Sequence, residues 1–147
     1  GPAISKLAES GDATQYSFPS PMATSESYDF SFSGLKTAVL YWHRDHPDAK
    51  LEDVCAGIQE AIVNSVHLKT VRAVQQYQAK AVLVGGGVSA NPLLRERLQT
   101  LAVPVFIPPL EYCTDNAAMI AAACRLHDIP TELFSFRADP NWELTPR

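Results

Sequence analysis

Basic charge is in short supply: 12 Lys and Arg stand against 16 Asp and Glu in 147 residues, a formal net charge of -4. Phosphate contacts need clustered cations, so the balance argues against a nucleic-acid surface carried by this chain alone. The three cysteines, Cys55, Cys113 and Cys124, are odd in number and show no C-x-x-C spacing. That excludes a disulfide framework and a zinc ribbon, and predicts buried free thiols in a reducing compartment. No apolar run reaches the roughly 18 residues of a membrane span, and no secretory signal is read at the first residues. The cytoplasm is therefore the expected compartment. His-Glu-x-x-His is missing, as is any protease dyad. His43 and His46 are three apart at a predicted helix end beside Arg44, Asp45 and Pro47, and His67 has no partner at metal-ligand spacing. Neither arrangement predicts a metal site.

What is present is the composition of a soluble globular protein with a real core, 46% apolar and 19% charged. The chain is organised around residues 80–101, KAVLVGGGVSANPLLRERLQTL. Ala81-Val82-Leu83-Val84 reads as a short strand buried on both faces. Gly85, Gly86 and Gly87 follow. Ser89 or Asn91 can then cap a helix whose first turn takes Pro92, with Leu93, Leu94, Leu98 and Leu101 as its apolar stripe and Arg95, Glu96 and Arg97 outside it. Strand, glycine turn and helix together let a backbone approach a phosphate or nucleotide. The turn is no P-loop, since no Lys-Ser/Thr pair closes it. It is no dinucleotide fingerprint either, since the G-x-G-x-x-G spacing is missing. A tight strand-to-helix turn remains an equal reading of the glycines.

The rest of the chain supplies helices. Residues 1–9 predict a short helix starting just after Pro2, with Ile4, Leu7 and Ala8 on one face. Tyr16-Ser17-Phe18 is an edge-strand candidate, since Pro19 and Pro21 exclude a central strand. Phe30 and Phe32 alternate with serines, reading as two aromatic core anchors before a helix that starts at Ser33-Gly34 and ends near Pro47. Residues 51–78 form one long helical pattern with two apolar stripes, so that helix is expected to be covered on more than one side. Residues 103–107 predict a second strand. Thr114 is expected to cap an alanine-rich helix over residues 115–126. From about residue 129 prolines break regularity, predicting an extended tail. The order is α/β, yet two strands are few for a stable sheet. Part of a domain is expected, with self-association as one way to cover its edges.

The strings VLVGGGVSAN, CTDNAAMIA and DFSFSGLKT resemble the TsaD family, once called the Gcp or O-sialoglycoprotein endopeptidase family. The resemblance covers nearly all of residues 1–147 but only about the C-terminal half of a family member. It implies a partial actin/Hsp70-like (ASKHA) ATPase fold, a mixed sheet with flanking helices, with the family's N-terminal half absent. It also implies the transfer of threonylcarbamoyl from threonylcarbamoyl-AMP to the N6 amine of the adenine beside the anticodon of tRNAs. By the same resemblance Gly85, Gly86, Gly87 and Asn91 contact the nucleotide, ATP or threonylcarbamoyl-AMP. Asp115 of Cys-Thr-Asp-Asn is a ligand of one divalent metal, iron or zinc, whose other ligands come from a His-x-x-x-His helix that this chain lacks. Gly1-Pro2 is either a protease-cleavage scar or the end of the family's Tyr-Pro-Gly-Gly-Pro turn, which would make Gly1 a nucleotide contact. Where Ser5 stands the family often has an acidic residue. The implied partners are tRNA, the inactive paralogue TsaB and the ATPase TsaE. With half the site missing, the chain alone is expected to be inactive; the alternative is a non-catalytic actin-like interaction or dimerisation module.

Overall fold

A computed structural model describes residues 1–126 other than Thr24; the expected tail from residue 129 lies outside them. The chain divides into two compact units, Gly1–Thr114 and Asp115–Arg147. The first contains helices α1 (Pro2–Ala8), α2 (Ser33–Asp45), α3 (Leu51–Gln76) and α4 (Pro92–Gln99) and a two-stranded sheet of β1 (Val82–Leu83) and β2 (Val105–Phe106). Helix α5 (Ala117–Cys124) belongs to the second unit. No helix among the described residues is long and apolar enough to cross a membrane.

The long helix α3 is the spine, and its two predicted stripes become three apolar contacts. Cys55 and Ala56 pack with Ala8 and, around them, Ile4 and Leu7 of α1. Val54, Ile58 and Ala61 join Phe18 and Leu35, with Tyr16, Val39 and Trp42 alongside. Val63 meets Leu94 and Leu98 of α4, and Val84, Val105 and Ile107 from the sheet close that cluster. Each fully buried aliphatic side chain stabilises by about 1.5–3 kcal/mol, so α3 holds its position through three independent patches.

The chain after α1 crosses α3 at very short range. A Cβ on Gly11 would lie 2.0 Å from the Glu52 carbonyl oxygen, and one on Gly57 would lie 2.2 Å from that of Tyr16. Only glycine allows the two backbones so close. Residues 16–18 form no strand, so the expected edge strand is absent: Tyr16 and Phe18 instead lean on Trp42, with ring centroids 4.7 and 5.5 Å away. Farther along, Arg72 donates to the carbonyls of Ser25, Glu26 and Ser27. Lys69, only 2% exposed, donates to the carbonyls of Ser27 (2.7 Å) and Asp29. Residues 25–29, which have no regular structure of their own, are thereby tied to α3. Phe30 and Phe32 are not the core anchors that the alternation predicts. They stack on each other at 4° between planes and remain 47% and 38% exposed.

The strands pair in parallel, Val82 with Val105 and Leu83 with Phe106. The expectation of a strand buried on both faces is corrected: Val82 and Val84 are half-buried, but Leu83 is 82% exposed and its neighbour Phe106 60%. The α3 and α4 side chains cover one face of the sheet, and no described residue of the first unit buries the other.

The turn between α1 and α3 carries the clearest electrostatics. The Asp12 carboxylate accepts the Thr14 hydroxyl (2.7 Å), the Thr14 N–H (2.8 Å) and the Gln15 amide (2.8 Å). The hydroxyl chiefly, then the amide, hold its pKa down from 3.8 to about 2. Asp53 is lowered chiefly by accepting the Asp12 backbone N–H at 2.8 Å, with help from Lys50. Both folded pKa values lie below the unfolded ones. Their contribution is thus fully present above the ordinary carboxylate range and is lost as pH falls through it towards 2. The melting temperature is expected to fall between about pH 4 and pH 2, and Asp12→Asn to flatten that slope. An unchanged slope in the variant would refute the assignment.

Candidate functional site

The site begins where β1 runs out. Gly85, Gly86 and Gly87 are exposed, and Gly86 takes φ 85°, ψ 166°, a region essentially closed to other residues. Ser89, 1% exposed, locks the turn: its N–H (3.0 Å) and its hydroxyl (2.7 Å) both donate to the Gly86 carbonyl. A tight turn at Gly87–Ala90 leads to Asn91, the N-cap of α4, whose Oδ1 accepts the Leu94 N–H at 2.9 Å. Of the two predicted caps, Asn91 is the one used.

Asn91 does more than cap. Its Nδ2 donates to Gln59 Oε1 of α3 at 2.6 Å and to Ser5 Oγ of α1 at 3.1 Å. One amide therefore joins three helices beside the glycine turn, satisfying both its donors at once. Gly1 caps α1 one turn before Ser5, whose N–H donates to the Gly1 carbonyl at 3.0 Å. The glycine turn thus leads directly into Asn91, and Gly1 is linked to Asn91 through Ser5, one helical turn away. Gln59 was not legible in the sequence beyond being a polar residue inside an apolar stretch.

Arg95 lies outside the apolar stripe, as expected, but is half-buried against neighbouring loops and not free in solvent. Its Nε donates to the Ser89 carbonyl at 2.7 Å, and its Nη2 to the Pro108 carbonyl and to Cys113 Sγ at 3.1 Å. Arg97 is held instead by Glu60 of α3 at 2.9 and 3.0 Å. His67 lies 3.3 Å from the Thr100 hydroxyl, with its pKa lowered by burial and by Arg97. Burial and Glu52 push the Cys55 thiol up, which suits an inert core thiol.

Asp115 opens the second unit. The expected helix over 115–126 with a Thr114 cap is corrected: α5 starts at Ala117, and Asn116 is its cap, accepting the Met119 N–H at 2.9 Å. Asp115 is exposed and stands one residue before that cap. Among the described residues no three His, Cys, Asp or Glu side chains converge as metal ligands. One carboxylate does not make a metal site, so the described residues do not by themselves fit the implied ion.

Comparison with known proteins bears on the same residues. A family model described as TsaD, tRNA N6-adenosine threonylcarbamoyltransferase, matches residues 1–122. A tRNA N6-adenosine threonylcarbamoyltransferase of Thermosipho africanus is 47% identical over 84% of this chain and 39% of its own length. One of Thiobacillus denitrificans is 43% identical over 98% of this chain and 46% of its own. One of Carboxydothermus hydrogenoformans is 46% identical over 84% and 38%. The chain spans less than half the length of these curated relatives.

Proposed function

The chain belongs to the TsaD family of tRNA N6-adenosine threonylcarbamoyltransferases, and from that premise we propose that it supplies the nucleotide-holding part of such a transferase. The complete enzyme moves threonylcarbamoyl from threonylcarbamoyl-AMP to the N6 amine of the adenine beside the anticodon of tRNAs. The parallel sheet and its helices are one part of an actin/Hsp70-like fold in this reading. Gly85, Gly86 and Gly87 let the backbone approach the nucleotide, and Asn91 and Gly1 line the same corner. Asp115 is this chain's one ligand to a divalent metal, iron or zinc, with the other ligands coming from a part of the enzyme that the chain does not span. TsaB and TsaE are the partner proteins, and the cytoplasm the compartment.

The observation that carries the reading is the placing of Asn91, where α1, α3 and α4 meet beside an exposed glycine turn. Asn91→Asp tests it in the complete enzyme. Aspartate caps a helix about as well as asparagine, but it loses the two donors that hold Gln59 and Ser5 and brings a charge that a phosphate repels. Affinity for ATP, read by calorimetry, is expected to fall about tenfold or more while α4 stays folded. Unchanged affinity would remove Asn91 from the nucleotide site. The 147-residue chain alone is expected to bind ATP weakly or undetectably.

A further inference from the structure

Both parallel strands deliver the chain to the same end of the sheet. Val84 leads into the glycine turn, and Ile107 leads into residues 108–113. Ligands of open parallel sheets bind outside the carboxyl ends of the strands, so the spacing of these two loops shapes the surface offered there. A single side chain spans the gap. Arg95, in the first turn of α4, holds the Ser89 carbonyl with Nε at 2.7 Å, and the Pro108 carbonyl and Cys113 Sγ with Nη2. Its targets are fixed at both ends: Ser89 and Cys113 are each 1% exposed. The Cys113 thiol donates onward to the Pro109 carbonyl at 3.5 Å. A rigid planar fork suits this task, since its donors point in set directions towards acceptors in two separate loops, whereas a lysine ammonium is one point on a flexible stem.

We propose that Arg95 is a positioning residue that clasps the glycine turn to residues 108–113 and thereby sets the affinity for the nucleotide. The second half of that statement rests on the nucleotide reading above; the first half does not. Arg97 is a matched control, since it lies on the same helix and bonds to Glu60 of α3, with no contact to either loop among its hydrogen bonds.

The test has two arms. In the 147-residue chain, Arg95→Met is expected to speed amide exchange about tenfold at residues 85–90 and 110–113, with Arg97→Met leaving both loops unchanged. Arg95→Lys, which keeps the charge but not the fork, is expected to fall between. In the complete enzyme, Arg95→Met is expected to raise KM for threonylcarbamoyl-AMP about tenfold with a smaller change in kcat, and Arg97→Met to leave KM unchanged. Equal loosening in the two Met variants at equal loss of melting temperature would overturn the clasp. Loosened loops with unaltered KM would overturn the functional half. A wild-type enzyme with no adenine-nucleotide affinity would sink the nucleotide reading instead, and the exchange arm would still decide the clasp.

Discussion

Asp115→Asn in the complete enzyme is expected to abolish threonylcarbamoyl transfer and to lower bound metal while hardly touching stability. The change keeps the shape of the side chain and removes only its anionic oxygen. It leaves the start of α5 intact, because Asn116 is the residue that accepts the Met119 N–H. Asp115 is exposed, and surface substitutions away from caps and cores usually stay within about 0.5 kcal/mol. A metal ligand has no such tolerance, since its charge is part of what holds the ion. The separation is sharper than a capping role at Asp115 would allow, where fold and function could move together. Metal analysis, a tRNA modification assay and thermal melting decide it. Full metal occupancy with normal transfer would end the ligand assignment, whereas a collapse in melting temperature would show a structural role.

The largest effect on stability is expected at Gly57. A methyl group there would sit 2.2 Å from the Tyr16 carbonyl oxygen and 3.3 Å from Phe18 Cδ2. The first obstacle is backbone, which cannot rotate aside. Residues 16–18 would have to lift, drawing Tyr16 and Phe18 away from Trp42 and opening the cluster with Leu35, Val54 and Ile58. Overpacking alone costs about 1–3 kcal/mol and losing a buried Phe about 3–5, so Gly57→Ala is expected to cost on the order of 3–5 kcal/mol. That is a large share of the 5–15 kcal/mol typical of a whole domain, at roughly the scale where a marginal fold is lost. Gly34→Ala is the control: a Cβ at this helical position meets nothing within 4 Å, and alanine is the better helix former by about 1 kcal/mol. Urea titration of both variants checks the contrast. A Gly57→Ala protein as stable as its parent would mean that the crossing leaves room for a methyl group.

The helices were legible because their apolar spacing is local. Leu94 and Leu98, and the stripes of α3, announce themselves at three and four residues' distance. Burial of the strand was misread for a related reason. A continuous apolar run such as Ala81 to Val84 implies cover on both faces, but cover comes from elsewhere in the chain, and Leu83 finds none in the first unit. Phe30 and Phe32 show the same limit, since alternation tells that two rings share a side and not what that side meets. At the start of α5 the expected cap Thr114 falls two residues too early, since Asn116 accepts the Met119 N–H and linear order does not show where the first helical turn begins. The glycine turn and the Asn91 cap were readable from the residues themselves, and the nucleotide role proposed for them from motif resemblance. Gln59 and Arg95 were not, because their partners lie 32 residues away in one case and across two loops in the other.

The ammonium of Lys69 has a chemical consequence. Lys6, Lys36, Lys50 and Lys80 are exposed, but the Lys69 amine lies under residues 25–29, bonded to the carbonyls of Ser27 and Asp29. An acyl donor, whether a reagent or a modifying enzyme, can meet that nitrogen only after the segment has lifted from α3, and acylation then removes the charge that would draw it back. Acetyl groups would thus accumulate on four of the five lysines of an intact molecule. The fifth would record a past opening, irreversibly, as a chemical memory of a state too brief to be seen directly.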